Sequence, residues 1–141
     1  MLLFNDIKLF SKNKVETVET VLYTNLNWTD YKQKKIFEDR KHESEIILKK
    51  YPSKIPVIIN ECSDELRDRL KRKMLIELDM TVGQYMHTLR TKFNIKPEES
   101  LLIFIDGRMP PSTLLMSYLY DKYKDKDGFL YVSILKENIF G

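Results

Sequence analysis

The sequence predicts an α+β fold in which one four-stranded sheet carries a helix across one face. Three observations lead there. The stretch IPVIINE, residues 55 to 61, is β-branched and almost wholly apolar, as a strand buried on both faces is. Three further short runs, MLIELD (74 to 79), LLIFID (101 to 106) and GFLYVSIL (128 to 135), have the length and composition of strands. Between MLIELD and LLIFID, Val82, Met86, Leu89 and Phe93 recur at helical spacing, an apolar stripe that should bury against the sheet.

From Ile36 to about Lys50, the pattern FEDRKHESEIILKK has few helix breakers, with apolar Phe37, Ile47 and Leu48 and with Tyr51 one turn beyond. It predicts a helix stopped by Pro52. IPVIINE is the choice for the central strand. The polar and basic stretch ECSDELRDRLKRK predicts a loop with a helical turn, after which MLIELD alternates as a second strand and suggests a hairpin with the first. Asp79 or Thr81 caps the following helix. LLIFID ends on an Asp106-Gly107 turn signal, and MPP breaks the chain before a short helical segment from Ser112 to Tyr123. GFLYVSIL closes the order ββαβαβ, which is the β-grasp order seen in ubiquitin. Residues 1 to 34 carry short apolar clusters, Leu2 to Phe4 and Val21 to Tyr23, without a sustained period, and read as a flexible or conditionally ordered appendage.

At 141 residues the chain suits one domain with a modest core. Its 43% hydrophobic and 32% charged residues are an ordinary globular balance. No secretory signal or membrane span is visible, and the single cysteine, Cys62, excludes an internal disulfide or a thiolate zinc cluster and fits a reducing compartment. His42 and His87 lack metal-ligand spacing, so no metal site is expected. No nucleophile and base pair, nucleotide loop or cofactor motif appears, which disfavours an intrinsic enzyme. Net charge is only +3, but Arg67, Arg69, Lys71, Arg72 and Lys73 cluster. Without interleaved aromatics, that cluster points to a solvated face, anionic lipid or an acidic peptide rather than to nucleic acid.

The chain closely resembles the autophagy-related ubiquitin-like modifiers, the autophagy-related protein 8, GABARAP and microtubule-associated light chain 3 family. The matching stretches are FEDRKHESEIILKKYPSKIPVI, LDMTVGQYMHTLR, MPPS before a helix, and YKDKDGFLY followed by the terminal glycine, covering about Trp28 to Gly141. The fold this resemblance implies is a ubiquitin-like β-grasp domain, a mixed sheet of four strands, with two added N-terminal helices. The implied division is an extension at 1–27, a helical subdomain at 28–52 packed on the core, a β-grasp core at 53–138 and a conjugation tail at 139–141.

The resemblance also implies function. Gly141 would be the reacting residue, adenylated, passed to cysteines of activating and conjugating enzymes, and joined to the amine of phosphatidylethanolamine. A glycine has no Cβ to obstruct narrow active sites. Many relatives need a cysteine protease to expose this residue, and delipidation would use it again. The sequence stops at the glycine itself, as an encoded mature end or as one exposed by cutting. The expected location is cytoplasmic, and on autophagosome or vacuole membrane when conjugated. The main alternative is an unconjugated adaptor in vesicle traffic or cytoskeletal attachment, microtubules included; a protein-conjugated modifier is a third reading.

Relatives recruit cargo receptors by adding an aromatic-x-x-aliphatic peptide as a strand beside the second strand. Carried over by position, the aromatic pocket would use Glu43, Ile47, Pro56, Lys73, Leu75 and Phe129, and the aliphatic pocket Met74, Ile76, Met80, Tyr85 and Leu89. Lys54, Lys71, Arg72, Lys73 and Lys92 would meet acidic flanks. Leu75 and Ile76, as strand neighbours, should point to opposite faces. Met74 stands where relatives often have an aromatic residue and Glu77 where many have proline, which predicts altered receptor preference. FNDI (4 to 7) and YTNL (23 to 26) share the aromatic-x-x-aliphatic shape, so either could fold back on the groove; an oligomer contact through Leu2, Leu3 and Phe4 is the alternative.

Overall fold

A computed structural model describes residues 30–137 together with the backbone of Leu2–Leu3. The strands are β1 (Leu2–Leu3), β2 (Lys54–Cys62), β3 (Lys73–Glu77), β4 (Leu101–Phe104) and β5 (Leu130–Lys136). The helices are α1 (Tyr31–Lys34), α2 (Phe37–Lys50), α3 (Asp64–Arg67), α4 (Val82–Lys92) and α5 (Met116–Tyr123). The sheet order is β1-β3-β2-β5-β4. β2 and β5 are parallel, and the other pairs are antiparallel. The β-grasp core is therefore as expected, with two helices before it and one strand, β1, added on the β3 edge.

The two faces of β2 divide the core. Ile55, Val57 and Ile59 join Met74 and Ile76 of β3, Leu130, Val132 and Ile134 of β5, and Val82, Tyr85 and Leu89 of α4 in the larger apolar cluster. On the opposite face Ile58 meets Leu75, Phe129, Ile47 and Tyr31. That double burial is why β2 reads as continuously apolar rather than alternating. Pro56 is tolerated in it because β2 begins to pair with β5 only at Val57.

Local chemistry sets the element ends. Thr81 accepts a hydrogen bond from the Gln84 amide at 3.1 Å, and Gln84 returns one from the Thr81 amide at 2.9 Å, a complete capping box for α4. Asp106 and Gly107 both have positive φ, 53° and 73°, the tight turn that the Asp-Gly pair predicts. The helical segment expected from Ser112 starts only at Met116. Leu115 is held extended by a bridge to Thr81, and the Met116 amide donates to the Met80 carbonyl at 2.8 Å. A register shift between Ile59 and Glu61 makes Asn60 a bulge residue in β2. Its side chain accepts from the Tyr31 amide at 3.0 Å, tying α1 to the sheet.

The loop before β5 is fastened to α2. Arg40, almost buried, reaches Asp127, wholly buried, at 2.5 Å. Asp127 also accepts from the Tyr131 hydroxyl and, at 2.9 Å, from the Phe129 amide. Ser44 donates to the Asp127 carbonyl. Gly128 follows at φ +94°, where a Cβ would collide with the Ser44 side chain, so the loop requires glycine there on both steric and backbone grounds.

Candidate functional site

The residues assigned to the aromatic pocket converge. Glu43 and Ile47 lie one turn apart on α2, Lys73 and Leu75 share one face of β3, Phe129 leads into β5, and Pro56 stands opposite Leu75 in the β2–β3 register. Ile47, Leu75 and Phe129 are fully buried, while Glu43 and Lys73 close the rim with an ion pair at 2.8 Å. Sequence reasoning missed the residue at their centre. Tyr31 donates its hydroxyl proton to Glu43 at 3.0 Å and meets the Phe129 ring edge-on with centroids 6.3 Å apart. Lys73 and Arg72 lie over the same ring at 4.8 and 5.3 Å. The available signal was Asp30, whose side chain caps α1 by accepting from the Lys32 amide at 3.0 Å and so marks a helix start just before Tyr31.

The electrostatics of this rim follow from burial. Burial pushes the Lys73 ammonium down to about 8, against the opposing pull of Glu43. Burial alone would raise the Glu43 carboxyl, but Lys73, Lys35 and the hydrogen bonds it receives outweigh that and hold it below the usual range. The Tyr31 phenol is driven well up, first by burial and then by Glu43.

The residues assigned to the aliphatic pocket lie across the sheet. Met74, Ile76, Tyr85 and Leu89 are fully buried in the larger cluster, with Met80 partly buried against it. Leu75 and Ile76 thus face opposite ways, as strand alternation requires. The Tyr85 hydroxyl has no hydrogen-bond partner among the described residues, and burial drives its phenol upward. Beside Met80, a surface depression of about 490 Å³ is lined by Glu77, Asp79, Met80, Gly83, Gln84, His87 and Thr88.

Several of the clustered cations carry internal carboxylate partners. Lys54 pairs with Glu77, its register partner across β2 and β3, Arg67 pairs with Asp64 at 3.0 Å, and Arg69 pairs with Glu99 at 2.9 Å. Lys71 and Lys92 are exposed, and Arg72 is half-buried, its guanidinium reaching Asn60 at 3.4 Å. Burial pushes the Cys62 thiol up to about 12, which suits an inert core thiol. Among the described residues no cluster of three or more histidine, cysteine or carboxylate side chains could hold a metal ion, and no helix is long and apolar enough to cross a membrane.

The family described as "Autophagy protein Atg8 ubiquitin like" matches residues 39–141. The chain belongs to the Atg8 family. Autophagy-related protein 8 of Vanderwaltozyma polyspora is 41% identical over 114 residues, 80% of this chain and 97% of that protein. The Mycosarcoma maydis protein of the same name is 42% identical over 112 residues, 79% of this chain and 95% of the relative. Among solved structures, Trypanosoma brucei ATG8 superposes with a TM-score of 0.68 at 31% identity, covering 80% of this chain and 98% of that one. Plasmodium falciparum Atg8, solved with a Plasmodium falciparum Atg3 peptide, gives 0.65 at 33% identity, covering 73% and 92%. Atg8 membership accounts for the β-grasp core and makes this a ubiquitin-like protein of autophagy. The extension before the matched region, β1 included, is where this Atg8 chain has length beyond the family match.

Proposed function

We propose that this protein is a ubiquitin-like modifier joined through Gly141 to phosphatidylethanolamine, and that on the membrane it collects receptors carrying aromatic-x-x-aliphatic motifs. The observation that carries the reading is the arrangement around β3. A strand edge runs between two apolar clusters, one holding Ile47, Leu75 and Phe129 and the other Met74, Ile76, Tyr85 and Leu89. An added peptide strand alternates its side chains between two faces, so a motif spaced aromatic-x-x-aliphatic suits an edge with an apolar site to either side.

In this reading residues 53–138 are the recognition module, 28–52 its helical cover, and 139–141 the reacting tail. Gly141 itself lies outside the described residues; support for its role is that the family match runs through to position 141. The protein is a substrate of activating and conjugating enzymes rather than a catalyst. The relative solved with an Atg3 peptide supports a partner of that kind. A cysteine protease would release it, and its sites of action would be cytoplasm and autophagic membrane.

The test is intact mass after incubation with activating and conjugating enzymes, ATP and phosphatidylethanolamine liposomes, with a chain lacking Gly141 as control. A lipid-sized gain that requires Gly141 is expected. No gain, with the enzymes active on another family member, would leave the unconjugated adaptor. For the groove, an acid-flanked aromatic-x-x-aliphatic peptide is expected to move the amide resonances of Lys73, Leu75 and Tyr85, and unmoved resonances would remove the recognition role.

A further inference from the structure

The outer edge of β3 already has a neighbour. Leu2 stands opposite Leu75 and Leu3 opposite Met74 in antiparallel register. The ladder on the other side tells which main-chain groups this contact uses. Ile59 donates to the Arg72 carbonyl at 2.8 Å, and the β2–β3 register steps without interruption from Ile58↔Lys73 to Lys54↔Glu77. In an antiparallel ladder hydrogen-bonded and non-hydrogen-bonded pairs alternate. The N–H and C=O groups of Met74 and Ile76 therefore turn toward β2, and those of Lys73, Leu75 and Glu77 turn outward. Leu75 is the middle residue of the outward set, and it is the one Leu2 faces.

We propose that Leu2–Leu3 is an internal competitor for the peptide-binding edge, so that a receptor motif must displace the protein's own N-terminal segment to pair with Leu75. This rests on the reading of that edge as the peptide site. The residues that pair are neither FNDI nor YTNL, both of which lie outside the described residues.

The balance of forces suits a displaceable cover. A two-residue pairing is too short to be stable alone. Residues 4–29 connect it covalently to α1, and an intramolecular connection of this length supplies an effective concentration in about the millimolar range. A peptide offers the same main-chain bonds plus an aromatic and an aliphatic side chain for the two clusters. The cover therefore sets a threshold: peptides that fill both sites displace it, and those that offer only a strand do not.

The test compares three proteins: the full chain, a chain lacking residues 1–29, and the full chain with Leu2→Pro, which removes the N–H facing Leu75. Peptide affinity is measured by calorimetry with an acid-flanked Trp-x-x-Leu peptide, and amide exchange at Leu75 by NMR without peptide at two protein concentrations. The truncated and Leu2→Pro proteins are expected to bind at least about threefold tighter, and their Leu75 amides to exchange at least about tenfold faster, independent of concentration. Equal affinity and equal Leu75 protection in all three would overturn the inference while leaving the peptide site intact. Protection that grows with protein concentration would also overturn it, because a second copy would then supply the strand. Peptide binding to none of the three would remove the site reading and the competitor role with it.

Discussion

Tyr31 and Glu43 are joined by a hydrogen bond of 3.0 Å that ties α1 to α2 beneath the rim of the candidate aromatic site. Glu43 also accepts from Lys73 at 2.8 Å and Lys35 at 3.2 Å, so one carboxylate organises three donors. Tyr31→Phe keeps the ring against Phe129 and loses one donor, at an expected cost of about 1 kcal/mol. Tyr31→Ala also empties the cluster, at about 3–4 kcal/mol. Urea unfolding of both variants checks this, and a loss below about 1 kcal/mol for the alanine variant would mean that α1 contributes no packing.

Lys73 gives a pH dependence with a defined sign. Its ammonium titrates near 8 in the fold against 10.5 for an ordinary lysine. Between these values the unfolded chain binds more protons at this group, so its contribution raises stability as pH climbs from about 8. Above pH 10 the raised phenols of Tyr31, Tyr85 and Tyr131 act oppositely, since the unfolded chain then loses protons that the fold retains. NMR titration of the Lys73 side chain is expected to give a midpoint near 8, and a still lower one in Glu43→Gln, where the raising partner is gone. An unchanged midpoint in that variant would show that Glu43 does not support the charge.

The Arg40–Asp127 pair is 2.5 Å long and closed to solvent on the aspartate side. Asp127→Ala is expected to cost about 3 kcal/mol, because a nearly buried guanidinium loses its closest counter-charge and keeps only Asp125 at 3.9 Å. The double variant Arg40→Met, Asp127→Ala should recover part of that loss, since it leaves no uncompensated charge. Chemical denaturation of both decides, and strictly additive losses would refute coupling.

Tyr85→Phe should stabilise the protein by about 1 kcal/mol, because it removes a buried hydroxyl that lacks a partner. Thermal melting of the variant tests this. A fall in melting temperature would reveal a partner for that hydroxyl.

Glu77 engages Lys54 beside the peptide edge proposed above. Glu77→Gln frees that ammonium, and acid-flanked peptides are expected to bind about two- to fivefold tighter at low salt, with the gain lost as salt rises. A neutral-flanked peptide is the control, and an equal gain for it would refute the charge explanation.

How much of this was legible in the sequence depended on how local each signal was. The run through Ile55, Val57, Ile58 and Ile59 marked a doubly buried strand because both faces are apolar along one contiguous stretch. The capping box at Thr81 and the Asp106-Gly107 turn were readable for the same reason. β1 was not, since two residues cannot display a period. Tyr31 was missed as the centre of the site because its partners, Glu43, Lys73 and Phe129, come from three other parts of the chain. The pocket residues came from resemblance by position. The opposite facing of Leu75 and Ile76 was legible, because neighbours on a strand alternate and β3 reads as a strand.

The placement of β5 bears on mechanical load. Anything tethered beyond Lys136 pulls on a strand held on both flanks, parallel to β2 and antiparallel to β4. Tension along that strand loads the hydrogen bonds on both of its flanks together. The rate of forced unfolding governs how long such a tether survives. The same sheet therefore holds β5 from both sides and, at its β3 margin, holds a two-residue strand from one side only.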